Sequence, residues 1–303
     1  MSDRREAVER MVAVDRAARG LSGDFLEAGA RLRQRNNFRL ALARYCHDMA
    51  GEAPVAWPIF KMFDQLHRYV ASYMLIHNYY AWLHEKGPPP TLTALQKVTG
   101  TSERQTAGFV AAMKAGGFVV AETDPADRRV KWLKPAPAMV EEIGRSVRLF
   151  VRAADEIEDR QPALSDLLGE PDRLGELLHQ SAAFVLQKGT LIHDFPRVLH
   201  FAGRDCGYSL LAAVIGAHYA AAVSGAPDAL PLTLRSLAQR FQVSRAHVGN
   251  LLEEAAQSGW FSIGDGGRLI EVSDGLVAEF EQWACWQIVH YDSLMALLAR
   301  KAS

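Results

Sequence analysis

Cysteine is scarce in this chain: three residues in 303, Cys46, Cys206 and Cys285, with no C-x-x-C pair among them. That spacing supplies neither a zinc knuckle nor a disulfide framework, and a reducing compartment is the simplest setting. Long apolar runs are also missing. No stretch approaches the ~20 residues a membrane helix needs, and the segment Met1 to Gly20 mixes Arg with Glu and has no apolar core of signal-peptide length. The expectation is a cytoplasmic protein with no membrane partner. Net charge is nearly absent, at -1, which excludes a generally basic nucleic-acid coat and confines any phosphate contact to local patches. The motifs of common catalytic chemistry do not occur either. There is no Gly-rich phosphate loop, no H-E-x-x-H and no G-x-S-x-G; His47, His179, His193, His200 and His290 show no ligand spacing, and the adjacent Cys46 and His47 cannot face each other as a catalytic pair. No enzymatic activity, metal or cofactor is expected.

What the chain does contain is one stretch written twice. Residues 92–119 read LTALQKVTGTSERQTAGFVAAMKAGGFV and, 142 positions on and without a gap, residues 234–261 read LRSLAQRFQVSRAHVGNLLEEAAQSGWF. Each reads as a helix-turn-helix. A short helix (Ala94 to Thr99; Ser236 to Phe241) leads through a tight turn to a Ser that can cap a second helix (Ser102; Ser244), and a Gly stands at the same stop (Gly117; Gly259). A duplication at about half the chain length predicts two domains, residues 1–160 and 161–303.

The remaining pattern fits that plan. Helices are predicted at Glu6 to Arg19 and Gly29 to Met49, the latter carrying Arg31, Arg33, Arg35, Arg39 and Arg44 as a solvated face. A long aromatic-rich helix from Ile59 to His84 ends at Lys86-Gly87-Pro88-Pro89-Pro90. After each repeat come two short strands, Phe118 to Ala121 with Val130 to Leu133 and Trp260 to Ile263 with Leu269 to Val272, read as the wing of a winged helix. Each hairpin is followed by a long helix. One face of the first carries Met139, Val140, Ile143, Val147, Phe150, Val151, Ala154 and Ile157; one face of the second carries Leu276, Phe280, Trp283, Ala284, Ile288, Tyr291, Met295 and Leu298. Polar Asp155 to Gln161, ended by Pro162, reads as the linker. The predicted fold class is mainly α: two winged helix-turn-helix domains, each with a small β-hairpin, joined by long flanking helices.

In a helix-turn-helix the second helix enters the major groove, and residues near its N-terminus face base edges. Those positions are Glu103, Arg104, Gln105 and Gly108 in the first copy and Arg245, Ala246, His247 and Asn250 in the second. Arg pairs with guanine, Gln and Asn with adenine. The caps Ser102 and Ser244 and the hairpin residues Arg128, Arg129, Lys131 and Arg268 complete the expected DNA-binding set. The alternative is that all of these are simply the wet face of exposed helices. Thr106, Phe109, Val110 and Met113, with Val248, Leu251, Leu252 and Ala255, are expected in the core. Charge separates the copies: from Leu92 to Lys134 seven bases face four acids, a balance of +3, whereas from Leu234 to Val272 four face four. Phosphate contact dominates affinity for duplex DNA, so the first copy is the expected anchor.

The helix-turn-helix Leu92 to Lys114, the tip Asp124-Pro125-Ala126-Asp127-Arg128-Arg129 and the flanking helices together resemble the MarR family of winged-helix transcription regulators. The resemblance implies a wing Arg in the minor groove, flanking helices that form the dimer, and small, often aromatic, effectors lodged between those helices and the winged core. Only the first copy carries the wing phrase; Gly264-Asp265-Gly266-Gly267-Arg268 keeps one Arg, on a wing three residues shorter. The implied protein is a sequence-specific transcriptional regulator with double-stranded DNA and a small aromatic effector as partners, one chain acting as a monomeric pseudodimer or pairing as a homodimer. Trp57, Phe63, His67, Tyr73 and His77 are the candidate effector wall, though aromatics at helical spacing read equally as core. The alternative reading of the whole chain is a tandem winged-helix protein-interaction module without specific DNA binding. A third is a small-molecule-binding protein whose aromatic cleft is the functional part.

Overall fold

The computed structural model describes residues 21–51, 60–85, 87–264 and 268–302; the predicted helix from Glu6 to Arg19 and the candidate Trp57 lie outside the described residues. The protein is mainly helical, with two small antiparallel hairpins. Its first half runs α1 (Gly23–Arg33), α2 (Phe38–Met49), α3 (Leu66–Glu85), α4 (Leu92–Gln96), α5 (Glu103–Ala115), β1 (Val119–Thr123), β2 (Lys131–Pro135) and α6 (Pro137–Ile157). The second runs α7 (Pro171–Lys188), α8 (Pro196–Ala202), α9 (Gly207–Ala222), α10 (Leu234–Phe241), α11 (Arg245–Gln257), β3 (Phe261–Gly264), β4 (Arg268–Val272) and α12 (Asp274–Ala302).

The duplication is repeated in the backbone position by position. Thr91 and Thr233 cap α4 and α10, and Ser102 and Ser244 cap α5 and α11. The turn between the two helices passes through the left-handed region at Gly100 (φ 67°) and at its counterpart Gln242 (φ 52°). At the far end Gly117 and Gly259 take positive φ, and the next residue bonds back into the helix, Phe118 N to Met113 O (2.9 Å) and Trp260 N to Ala255 O (3.1 Å). This satisfies carbonyls that a helix C-terminus otherwise leaves open. The hairpins follow at once, with Val119 opposite Pro135 and Phe261 opposite Val272. Thr106, Val110, Met113, Val248, Leu251, Leu252 and Ala255 are buried as their spacing predicts, with Phe109 half-buried.

The halves do not stack as separate bodies. α2 packs on α9 and, reciprocally, α7 packs on α3, while the long helices α6 and α12 pack along each other and α12 also covers α1. One apolar cluster runs through both halves, from Leu32 to Met295. The predicted faces of α6 and α12 are the centre of it, with every named residue buried except Leu298, which packs at its edge.

Three sequence expectations are corrected. The predicted helix from Gly29 to Met49 is two helices, broken at Arg35-Asn36-Asn37, where the Asn37 amide donates to the Glu156 carbonyl (2.6 Å). Asn side chains compete for backbone groups in this way and weaken helix interiors. The aromatic helix starts later than predicted: a 3-10 turn at Phe60–Met62 and a corner at Phe63-Asp64-Gln65 precede α3. Finally, the polar linker is a fastened corner. Asp155 is buried and accepts from Ser165 N (2.8 Å), and Arg160 spans Asp155 and Asp292. The arginine face of α1 and α2 is similarly engaged, since Arg33 and Arg39 both reach the buried Glu281 of α12, and Arg35 and Arg44 pair with Glu158 and Glu156.

Candidate functional site

Two features stand out: the exposed polar face of the repeated helices with their hairpins, and a cavity where the halves meet.

On the first copy the Ser102 hydroxyl accepts from Gln105 N (3.2 Å) while the Gln105 side-chain oxygen accepts from Ser102 N (3.2 Å), a reciprocal cap on α5. Gln105 thus spends its carbonyl on the helix terminus and leaves its NH2 outward. Arg104 is exposed and makes no hydrogen bond or ion pair to the described residues. Two aspartates shape the hairpin tip: Asp124 accepts from Ala126 N (2.7 Å) and Asp127 accepts from Arg129 N (3.0 Å). Side-chain capping of this kind fixes a turn without committing its neighbours. Arg128 is exposed and the Arg129 side chain is 95% exposed, with only a loose pairing to Asp127 (3.7 Å). Lys131 opens β2 and donates to Thr123 across the hairpin.

The second copy is engaged differently. Ser244, Arg245 and Asn250 are exposed, but His247 is half-buried and its Nε2 lies 3.0 Å from the Asp205 carbonyl. Arg204 from the same corner pairs with Glu254 of α11 (3.1 Å). Arg268 is the first residue of β4, and the hairpin tip before it lies outside the described residues.

The cavity has a volume of about 190 Å³ and lies among α2, α3, α6, α7, α9 and α12. Its walls are aromatic. Tyr45 stacks on Phe150 (4.2 Å between centroids), Phe150 meets Trp283 edge-on (5.4 Å), and Tyr69 stacks on Tyr73 (5.8 Å). Hydroxyls are used up in pairs: Tyr45 with Tyr208, Tyr73 with Tyr291 (3.5 Å), and Tyr69 donating to the Ile143 carbonyl (3.0 Å). Burial holds the Tyr45, Tyr73 and Tyr208 phenols well above their ordinary range. Elsewhere in the wall Ser181 and His290 share a hydrogen bond (2.7 Å), and burial lowers His290 to about 4, so its ring is neutral at physiological pH.

One end of the cavity is polar. Asp64, Glu142 and Arg145 line it, and each has a buried atom with no hydrogen-bond partner among the described residues: Asp64 Oδ2, Glu142 Oε2 and Arg145 Nε. Arg145 Nε lies 3.7 Å from Glu142 Oε1, beyond hydrogen-bond range. Burial, reinforced by the nearby Asp205, pushes the Asp64 carboxyl up to about 7, and burial also raises Glu142. This end is where two corners related by the duplication meet, Phe63-Asp64-Gln65 before α3 and Asp205-Cys206-Gly207 at the start of α9. Lys61 ties them through Asp205 (3.4 Å). Phe63 packs edge-on against Phe118 at the end of the first repeat (4.9 Å), while the Asp205 carbonyl meets His247 near the start of α11.

Of the predicted effector wall, Phe63 and Tyr73 line this cavity; His67 and His77 do not. Leu66, Tyr69, Val70, Tyr73 and Met74 form the helical stripe that faces it. His67 flanks the stripe on its exposed side, and His77 continues the stripe one turn past the cavity, where it stacks on His179 (4.7 Å). Sequence reasoning missed Asp64, Glu142 and Arg145. A signal existed for Glu142, a carboxylate four residues before Ser146 and eight before Phe150 on the line that becomes cavity wall.

Among the described residues no group of His, Cys, Asp and Glu is placed to hold a metal, and no helix is long and apolar enough to cross a membrane. Cys46, Cys206 and Cys285 are free and buried, and burial pushes the Cys206 and Cys285 thiols up to about 12. Compared with protein-family models, curated proteins and solved structures, the chain matches none.

Proposed function

We propose that the chain is a sequence-specific, DNA-binding transcriptional regulator of MarR type in which two winged helix-turn-helix units, residues 1–160 and 161–303, form a pseudodimer within one polypeptide, with the aromatic cavity as its effector site. The observation that carries this reading is the free cationic edge of the first unit. Arg104 and Arg128 have no partner among the described residues, Arg129 is almost fully exposed, and the aspartates around them are occupied in shaping the turn. Exposed arginines on a side-chain-capped turn and at a helix N-terminus suit phosphate and groove contact. The reciprocal packing of α2 on α9 and α7 on α3 supports the pseudodimer, because it is the arrangement two exchanged copies would make.

Selection from a randomised duplex library at two salt concentrations tests the reading. The expected result is an asymmetric motif whose retention weakens as salt rises. Replacing Arg128 and Arg129 with Ala should leave stability unchanged, weaken binding across sequences, and reduce the salt slope by about 1 for each phosphate contact removed. No enrichment at either salt, or unchanged affinity in the double variant, would overturn it. One observation favours the interaction-module alternative: in the second unit His247 is turned inward to Asp205 and the local charge balance is zero. That alternative predicts retention of a protein partner and no salt-dependent duplex binding.

A further inference from the structure

We infer that the cavity takes a small aromatic amine in its protonated form, with the ring among Tyr45, Tyr69 and Phe150 and the ammonium between Asp64 and Glu142. The inference rests on the cavity being a ligand site, as proposed above, and adds the chemical class of the ligand.

Three observations carry it. The first is size. An apolar cavity of about 150 Å³ accommodates benzene, so about 190 Å³ holds one ring with a short side chain and little more. The second is the unmet demand at the polar end. Glu142 is 8% exposed, lines the cavity, and has an oxygen without a hydrogen-bond partner among the described residues; Asp64 presents a second such oxygen. Buried polar atoms are nearly always satisfied in native proteins, and a cluster of exceptions facing one space marks what is missing from it. The third is the sign of that demand. Two carboxyl groups face one guanidinium, and the guanidinium already donates from Nη1 to the Met49 carbonyl (3.4 Å). An ammonium supplies three donors and a positive charge to this end, whereas an aromatic acid would set a third carboxyl against the first two.

Binding must also move a proton. Below about pH 7 the Asp64 carboxyl is largely protonated because burial and Asp205 disfavour its charge, with Glu142 adding to them and Lys61 and Arg145 opposing. An arriving ammonium reverses that balance, so Asp64 ionises and a proton leaves to solvent.

Three probes that share a phenylethyl group test the inference on the full chain by isothermal titration calorimetry: phenethylamine, 2-phenylethanol and 3-phenylpropanoate. The amine is expected to bind at least tenfold tighter than the alcohol, and the acid weakest. At pH 6 the heat for the amine should vary with buffer ionisation enthalpy, reporting proton release, while that for the alcohol should not. In Asp64→Asn the amine's advantage should fall tenfold or more and its proton release disappear, with the alcohol unchanged; Glu142→Gln provides a second variant in case either fails to fold. Tighter binding of the acid, or an amine advantage indifferent to both substitutions, would overturn the ligand class while leaving the cavity as a ligand site. Binding by none of the three would overturn the site itself. Duplex selection, measured separately, reports on the regulator reading.

Discussion

Replacing Asp64 with Asn should make the protein more stable, and only above acidic pH. In the folded chain this carboxyl keeps its proton up to about pH 7, against an ordinary value of 3.8. The native state therefore binds more protons than the unfolded state between those limits, and stability is full below about 3.8 and lost as pH rises through 7. A shift of roughly three pH units corresponds to about 4 kcal/mol at most. Asp64 retains some contact with solvent, which screens part of this, and about 2–4 kcal/mol is the expected range. Asparagine has the shape of the protonated carboxyl and no charge to lose.

The assay is urea unfolding of both proteins, followed by tryptophan fluorescence from pH 4 to pH 8.5. Near pH 4 the gap should be small, about 0.5 kcal/mol, since both side chains are neutral in the fold and only the unfolded carboxyl has begun to ionise. The gap should open from about pH 4 to pH 7 and level off above it, with the variant the more stable. A gap that is constant across the range would mean that Asp64 is not burdened by its burial, and the account of the polar end would fall with it.

Gly117 holds φ at 76° with nothing near its missing side chain, so Gly117→Ala should cost about 1 kcal/mol from backbone strain alone, read as a lower urea midpoint with an unchanged slope. Glu281 is buried and bonds Arg39 (2.7 Å), Arg33 (3.3 Å) and the Tyr219 hydroxyl (3.3 Å). Glu281→Ala should lose roughly 1–3 kcal/mol because it strands that hydroxyl and unfastens α12 from α1, α2 and α9, and a melting temperature equal to that of the unaltered chain would contradict the network. All three cysteines are buried, so a disulfide reagent at pH 8 should titrate none in the native protein and all three in denaturant; rapid native labelling would count against this packing.

What the sequence made legible was whatever depends on neighbours a few residues apart. The faces of α6 and α12, the Ser102 and Ser244 caps, the Gly117 and Gly259 stops and the hairpins all arise from spacing of three or four residues or from a turn. The break at Asn37 was hidden because its cause is Glu156, more than a hundred positions away. Gln242 was hidden for another reason: the turn demands a left-handed residue that Gly100 supplies in the first copy, and only the alignment of copies indicates that Gln242 must adopt it too. The polar end of the cavity is assembled from a corner and a helix that are distant in sequence. Asp64 alone reads as a surface acid, and Glu142 with Arg145 reads as an ordinary pair on an exposed turn. Their chemistry begins only when α3, α6 and the second corner enclose them.

That enclosure bears on how a cavity ligand would reach the DNA-facing helices under the proposed function. The two duplicated corners meet at the polar end, and each is fixed to one repeat. Phe63 presses on Phe118, which lies between α5 and β1, and the second corner holds α11 through Asp205 to His247 and Arg204 to Glu254. The second corner is tightly built. Cys206 is already left-handed, and a side chain at Gly207 would lie 2.0 Å from the Phe201 carbonyl. A charge arriving between Asp64 and Glu142 alters the pull on Lys61 and Asp205, which link the corners. The repeats would then move relative to each other as units. A ligand shifts such an equilibrium only by as much as it prefers one arrangement over the other, and here that preference is the attraction of its charge to carboxyl groups held by the corner before α3 and by α6. An uncharged ring of the same size would fill the space without supplying it.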